Sequence, residues 1–195
     1  MNVSAIVLAG GLAQRMGGDK PLRTLRGKSL LQYAIELVDR FCLEVIVSTG
    51  ALELPLPAGV RGVPDPEDLR GRGPLVGIHE GLKAARERFC LLVPCDLPNL
   101  TYDLLQGLLD EVGDHDAAHC RIDGEDEPLV AVLRREPAEV ATRRAIQLRM
   151  MKVVPCWQKL NARVLDQDWI KLYGNPKHLF SNINTPEDLA REESA

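Results

Sequence analysis

The segment Leu8-Ala9-Gly10-Gly11-Leu12-Ala13-Gln14-Arg15-Met16-Gly17-Gly18-Asp19-Lys20 gathers paired glycines, an arginine and a lysine near the N-terminus. Paired glycines let a backbone approach a ligand closely and reach positive φ. Backbone N–H groups exposed in such a turn can face phosphate oxygens. Arg15 offers a planar two-pronged donor and Lys20 a mobile point charge. Both suit the charge that builds up in phosphoryl transfer. Farther on, Asp96 follows the apolar run 89–93 across Pro94-Cys95. A carboxylate just past a buried strand points into the crevice where α/β sheets bind ligands. Mg²⁺ is a hard cation that often takes one or two carboxylates plus substrate phosphates.

Two familiar phosphate loops do not fit. A Walker loop needs Ser or Thr after its lysine, and here Lys20 is followed by Pro21. The dinucleotide pattern G-x-G-x-x-G is absent as well. Taken alone, the segment reads equally as a glycine turn with exposed basic residues, and Asp96 as a turn residue before Pro98.

These side chains need elements to hold them. Val3–Leu8 is a continuous, β-branched apolar run that stops at the two glycines, and 89–93 is a second such run. Runs at 44–49 and 60–63 read as further strands. Helical patterns cover 30–41, 77–87 and 101–112. Ser29 with Gln32 reads as a capping box opening the first of these. Strands buried on both faces and separated by helices indicate a parallel sheet. The second half is less regular: strands at 117–122 and 129–133 flank a polar turn at 123–127, and helices are expected at 138–148 and 150–160. Thr185-Pro186-Glu187-Asp188 reads as the capped start of a last helix.

Composition narrows the function classes. A chain of 195 residues supports one sizeable core. Net charge is −4 with no long basic run, so no nucleic-acid partner is expected, and any phosphate must be held locally. No apolar run reaches membrane-span length and no signal-peptide pattern opens the chain, so a cytoplasmic location is expected. The five cysteines are widely spaced without a CxxC pair, which argues against zinc or a disulfide framework. Cys95 reads as a small buried residue despite its neighbour. The four histidines are scattered and read as surface or structural.

The pattern L-A-G-G-x-x-x-R-M-G-x-D-K resembles the opening motif of the molybdenum cofactor guanylyltransferases. The resemblance continues through Pro64-Asp65, Gly71-Arg72-Gly73-Pro74-Leu75-Val76-Gly77-Ile78, Pro94-Cys95-Asp96-Leu97-Pro98 and Asn182-Ile183-Asn184-Thr185-Pro186-Glu187-Asp188-Leu189. These blocks span nearly the whole chain in order. The resemblance implies a single-domain α/β, Rossmann-like nucleotidyltransferase fold, with a mostly parallel central sheet flanked by helices. Residues 1–100 would form a nucleotide-binding half and 101–195 an acceptor-binding half. It implies transfer of GMP from GTP to the phosphate of molybdopterin, with Mg²⁺ as cofactor and molybdoenzyme maturation proteins as candidate partners.

On these residues the resemblance makes Arg15, Lys20 and Asp96 catalytic, with Asp96 also holding the metal. The nucleotide would meet Leu8, Ala9, Gly10, Gly11, Lys20, Ser48, Asp65 and Asp96. Asn182 and Asn184 would face the acceptor, and Arg149 and Lys152 loosely match the family's basic residues there. An acid at Asp65 suits guanine, whose N1–H and exocyclic amine are donors. Related cytidylyltransferases read L-A-A-G, so Gly11 leaves room for a purine. Family members often have Asn in place of Ser48 and His-Pro in place of Glu127-Pro128. Two other readings share these residues: a cytidylyltransferase or an enzyme loading another phosphorylated acceptor, and a nucleotide-binding regulatory protein without turnover.

Overall fold

The computed structural model describes residues 1–10 and 20–194. Gly11 and Arg15 therefore lie outside the described residues. The first strand, β1 (Val3–Leu8), is buried along its whole length. After a short 3-10 turn at Lys20–Leu22 comes a two-residue hairpin, β2 (Thr24–Leu25) and β3 (Lys28–Ser29). Its corner residues Arg26 and Gly27 both take positive φ, as a tight hairpin requires. Helix α1 (Leu30–Val38) begins at Ser29, whose Oγ accepts from the Gln32 amide. The expected box closes only halfway, because the Gln32 side chain donates forward to Glu36 Oε1 at 2.9 Å.

The chain continues through β4 (Glu44–Gly50), β5 (Val60–Pro64), α2 (Pro74–Ala84), β6 (Phe89–Pro94) and α3 (Tyr102–Glu111). Helix α2 starts three residues before the expected 77, because Pro74 occupies a first-turn position where its missing N–H costs nothing. Then follow β7 (Ala117–Ile122), β8 (Glu125–Arg134), α4 (Arg135–Gln147), α5 (Val153–Trp157) and β9 (Ala162–Leu165). The short helices α6 (Gln167–Ile170) and α7 (Pro176–Leu179) lead to α8 (Pro186–Glu193). The polar turn expected at 123–127 shrinks to Asp123-Gly124, both at positive φ, and Glu125 to Glu127 join β8. The helix expected over 150–160 is reduced to α5.

Seven strands form one sheet in the order β5-β4-β1-β6-β8-β7-β9. All neighbours pair in parallel except β8, which is antiparallel to both β6 and β7. Alternate side chains seal the two faces. Ala5 and Val7 of β1 pack with α1 and α3, whereas Ile6 and Leu8 pack with α2, α4 and α5. Each fully buried aliphatic side chain contributes roughly 1.5–3 kcal/mol, so the central strands are held rigidly. From β1 the chain moves to β4 on one side and later returns to β6 on the other. That reversal makes the gap between the β1 and β6 ends a topological switch point, where open α/β sheets bind ligands.

Strand β8 is interrupted. His119 and Cys120 of β7 pair with Ala131 and Glu127, leaving Pro128, Leu129 and Val130 without partners across β7. Proline has no N–H for the ladder, which is why the bulge forms at this position. Among the described residues no helix is long and apolar enough to cross a membrane.

Candidate active site

The end of β1 runs beside the end of β6, with Leu8 opposite Pro94 and the Cys95 amide donating to Leu8 O at 3.0 Å. Past Leu8 the backbone leans on β4 instead. The amides of Ala9 and Gly10 both donate to Ser48 O, at 2.9 and 2.8 Å. Gly10 lies so close to β4 that an added Cβ would stand 2.6 Å from Gly50 Cα and 2.8 Å from Thr49 C. The glycine is thus required here by a neighbouring strand. Both amides are therefore committed to β4.

Lys20 and Asp96 meet across the switch point. The Lys20 ammonium donates to Asp96 Oδ2 at 2.6 Å and to Asn184 Oδ1 at 2.7 Å. The Asp96 carbonyl accepts from the Ile183 amide at 3.0 Å, tying the Asn182–Asn184 segment to the end of β6. Ile183 is buried with Leu25 and Leu30, so the hairpin and α1 anchor that segment from the other side. The cap of α8 completes the support. Thr185 Oγ1 accepts from the Asp188 amide, and Asp188 Oδ2 accepts from the amides of Thr185 and Asn184, each near 3 Å. Three segments distant in sequence therefore converge on one ammonium group.

These groups open on a cavity of about 200 Å³ whose lining includes Ala9, Gly10, Lys20, Asp96, Asn182 and Glu127. Glu127 was not among the site residues expected from the sequence. Its carboxyl is pushed above the usual range by burial first and then by the Asp96 charge. Two signals pointed to it: the match of Glu127-Pro128 to the family's His-Pro, and Pro128 itself, a proline inside a strand pattern, which marks a bulge able to re-aim its neighbours.

Ser48 and Asp65 lie on the β4–β5 side. The Ser48 side chain is buried beneath α2, and a Cβ on Gly77 would overlap its Oγ. Its carbonyl, not its hydroxyl, reaches the β1 end. Asp65 is held by its amide, which donates to Gly50 O at 2.9 Å. Its side chain is buried, and Oδ1 has no hydrogen-bond partner among the described residues. Burial, followed by the nearby Glu80 charge, raises its pKa above the ordinary value.

Three further residues singled out in the sequence have these settings. The Cys95 thiol is buried and pushed up to about 12, mainly by that burial, which leaves it protonated and inert. His79 is buried with Nδ1 3.0 Å from Thr142 Oγ1, a contact between α2 and α4. Arg149 takes the left-handed position that ends α4, where the Met150 amide reaches back to Ala145 O.

A lysine, a carboxylate and an asparagine gathered at the switch point of a doubly wound sheet form the candidate site, and the fold is that of the nucleotidyltransferases. Residues 5–159 match the model of the MobA-like NTP transferase domain, and the chain belongs to that family. A molybdenum cofactor guanylyltransferase of Desulfosudis oleivorans is 32% identical over 99% of this chain and 95% of its own length. One from Pseudomonas entomophila is 32% identical over 95% of each chain. Among solved structures, molybdopterin-guanine dinucleotide biosynthesis protein A of Archaeoglobus fulgidus superposes with a TM-score of 0.79 at 25% identity, covering 98% and 97% of the two chains. A 2-C-methyl-D-erythritol 4-phosphate cytidylyltransferase of Thermus thermophilus shares the fold, with a TM-score of 0.74 at 17% identity and coverage of 100% and 98%.

Proposed function

We propose that this protein transfers GMP from GTP to the terminal phosphate of molybdopterin, releasing pyrophosphate and forming a guanine dinucleotide cofactor. The observation that carries this reading is the Lys20 ammonium bridging Asp96 and Asn184 at the switch point. It unites three blocks of the family pattern around one cavity. An acceptor phosphate oxygen bonds to the α-phosphorus of GTP as the bond from that phosphorus to the β-bridging oxygen breaks. The acceptor is already an anion, so the site needs to position and neutralise charge more than to remove a proton.

Lys20 supplies fixed positive charge beside the reacting phosphate, held ready by Asp96 and Asn184. The carboxylate of Asp96 would hold Mg²⁺, and the site's donor set of carboxylate and amide oxygens fits a hard cation that completes its shell with substrate phosphates. Bound there, the ion would offset triphosphate charge and polarise the α-phosphorus. Arg15 would add a second cation, and its placement lies outside the described residues.

Guanine is favoured by Asp65. A buried carboxylate oxygen without a partner among the described residues suits the paired donors of a guanine edge. Cytosine lacks a ring N–H on the matching edge. Gly11, whose small size would leave room for a purine, lies outside the described residues. Incubating the protein with Mg²⁺, molybdopterin and either GTP or CTP tests the reading. Pyrophosphate release with GTP well above that with CTP is expected. Preference for CTP, or no release with either, would reject it.

Asp65 also yields a pH prediction. Its folded-state pKa lies above the unfolded value, so the folded chain holds a proton that the unfolded chain has lost. Stability therefore falls as pH rises through the folded pKa, and the cost is fully present above it. Asp65→Asn is expected to remove that slope and raise the melting temperature at neutral pH. It should weaken GTP binding about 10- to 100-fold, the range for losing a hydrogen bond to a charged group. Melting curves across pH, with GTP titrations at pH 7, check both halves.

A further inference from the structure

A second cavity of about 410 Å³ adjoins the first and shares Pro74, Glu127 and Leu129 with it. Val153 and Pro155 add to its apolar walls, and Lys152 and Glu127 are its charged lining residues. Glu127 therefore stands at the junction, with the Lys20–Asp96 pair on one side and an apolar groove on the other. A ligand spanning both cavities would cross the stretch lined by Pro74, Leu129 and this carboxylate.

The placement of Glu127 is built into the fold. It is the last residue of β8 to pair with β7 before the bulge, opposite Cys120. The bulge is clamped from outside: the indole N–H of Trp157, 1% exposed, donates to Pro128 O at 2.9 Å. Trp157 closes α5, whose first residues also line the groove. One hydrogen bond thus fixes the groove wall and the carboxylate together.

We propose that Glu127 is the specificity residue of the acceptor side, accepting from adjacent N–H donors on a flat nitrogen heterocycle laid in the apolar groove, with Trp157 as its positioning residue. The inference rests on the guanylyl-transfer reading for the identity of the acceptor. The chemistry matches a pterin, whose amino group and ring N–H form a paired donor edge while its faces stack on apolar walls. Carboxylates accept two such donors at once.

The test uses free pterin as probe, followed by its own fluorescence, with Glu127→Gln and Trp157→Phe compared against wild type. Glu127→Gln is expected to weaken pterin binding at least about tenfold, since an amide turns one acceptor into a donor. Trp157→Phe should weaken it too, by freeing the bulge. In turnover with molybdopterin, both variants should raise the acceptor KM while GTP affinity holds, a split that general unfolding would not give. Pterin bound equally by Glu127→Gln and wild type, or not bound by wild type, overturns the inference. So does a loss of Mn²⁺ binding by electron paramagnetic resonance with pterin binding intact, which would make Glu127 a metal ligand. Pterin binding that depends on Glu127, without pyrophosphate release from wild type and GTP, would sink the transfer reading and leave this one standing.

Discussion

Asp96→Ala is expected to reduce pyrophosphate release from GTP at least about a thousandfold, because it removes two electrostatic contributions at once. The first is the carboxylate that would hold Mg²⁺. The second is the 2.6 Å contact that fixes the Lys20 ammonium at the cavity. A single preorganised charge-stabilising group is typically worth about 10²–10³ in rate, and two that act as a unit are not additive. Lys20→Met should therefore cost nearly as much, and the double variant little more than either single one.

The fold should survive this change. The Asp96 carbonyl, which ties down Ile183, remains with any side chain. Lys20 keeps its bond to Asn184. The ion pair is partly exposed, at 15% and 24%, and such pairs contribute up to about 1 kcal/mol. A melting shift of about 2–4 °C is expected for a chain of this size. Circular dichroism melts establish the fold, and a coupled pyrophosphate assay measures the loss. Turnover within tenfold of wild type would reject both roles of Asp96.

What the sequence made legible follows the range of the interactions concerned. β1 and β6 could be read because each is a continuous apolar run ended by Gly10 or Pro94-Cys95-Asp96, a local signal. The cap of α8 could be read because Thr185 and Asp188 satisfy each other within one turn. The capping box at Ser29 failed in its second half because Glu36, one turn on, competes for the Gln32 side chain. β9 escaped notice because it is a four-residue edge strand in which only Leu165 is buried. The polar start of β8 was hidden because its order comes from pairing with β7, not from apolar alternation.

The same division holds in the site. Lys20, Asp96, Asn182 and Asn184 are brought together as their order in the family pattern implied. Which atoms they share could not be read, since the partners lie 76 and 164 residues apart. Ser48 shows the limit most plainly. Its hydroxyl, expected toward the nucleotide, is packed under Gly77 of α2, a contact that depends on how a helix seats on the sheet. Glu127 was marked only as a departure from the family's His-Pro: Pro128 announces a bulge, but only the folded sheet shows which cavities Glu127 lines.

Gly10 brings sequence and structure to a direct test. If its role were only to let a ligand approach, Gly10→Ala would melt like wild type and fail solely in nucleotide binding. The structure predicts otherwise. Its φ is outside the left-handed region, so conformation alone would tolerate alanine. The new methyl would instead meet backbone atoms of Thr49 and Gly50, which cannot rotate away. β1 and β4 must part at this end, weakening the bonds from Ala9 and Gly10 to Ser48 O, each worth about 1 kcal/mol. Overpacking adds roughly 1–3 kcal/mol. Together these give a loss of about 3–5 kcal/mol, or a melting temperature lower by roughly 10 °C without any ligand. Gly59→Ala supplies the contrast. It too meets an unfavourable change, at φ +88°, but with open space around the new methyl, so its cost should stay near the roughly 1–2 kcal/mol of a left-handed residue. Because Leu8 O also receives the Cys95 amide, parting the strands should shift Asp96 as well. GTP affinity is then expected to fall along with stability in Gly10→Ala, and to hold in Gly59→Ala.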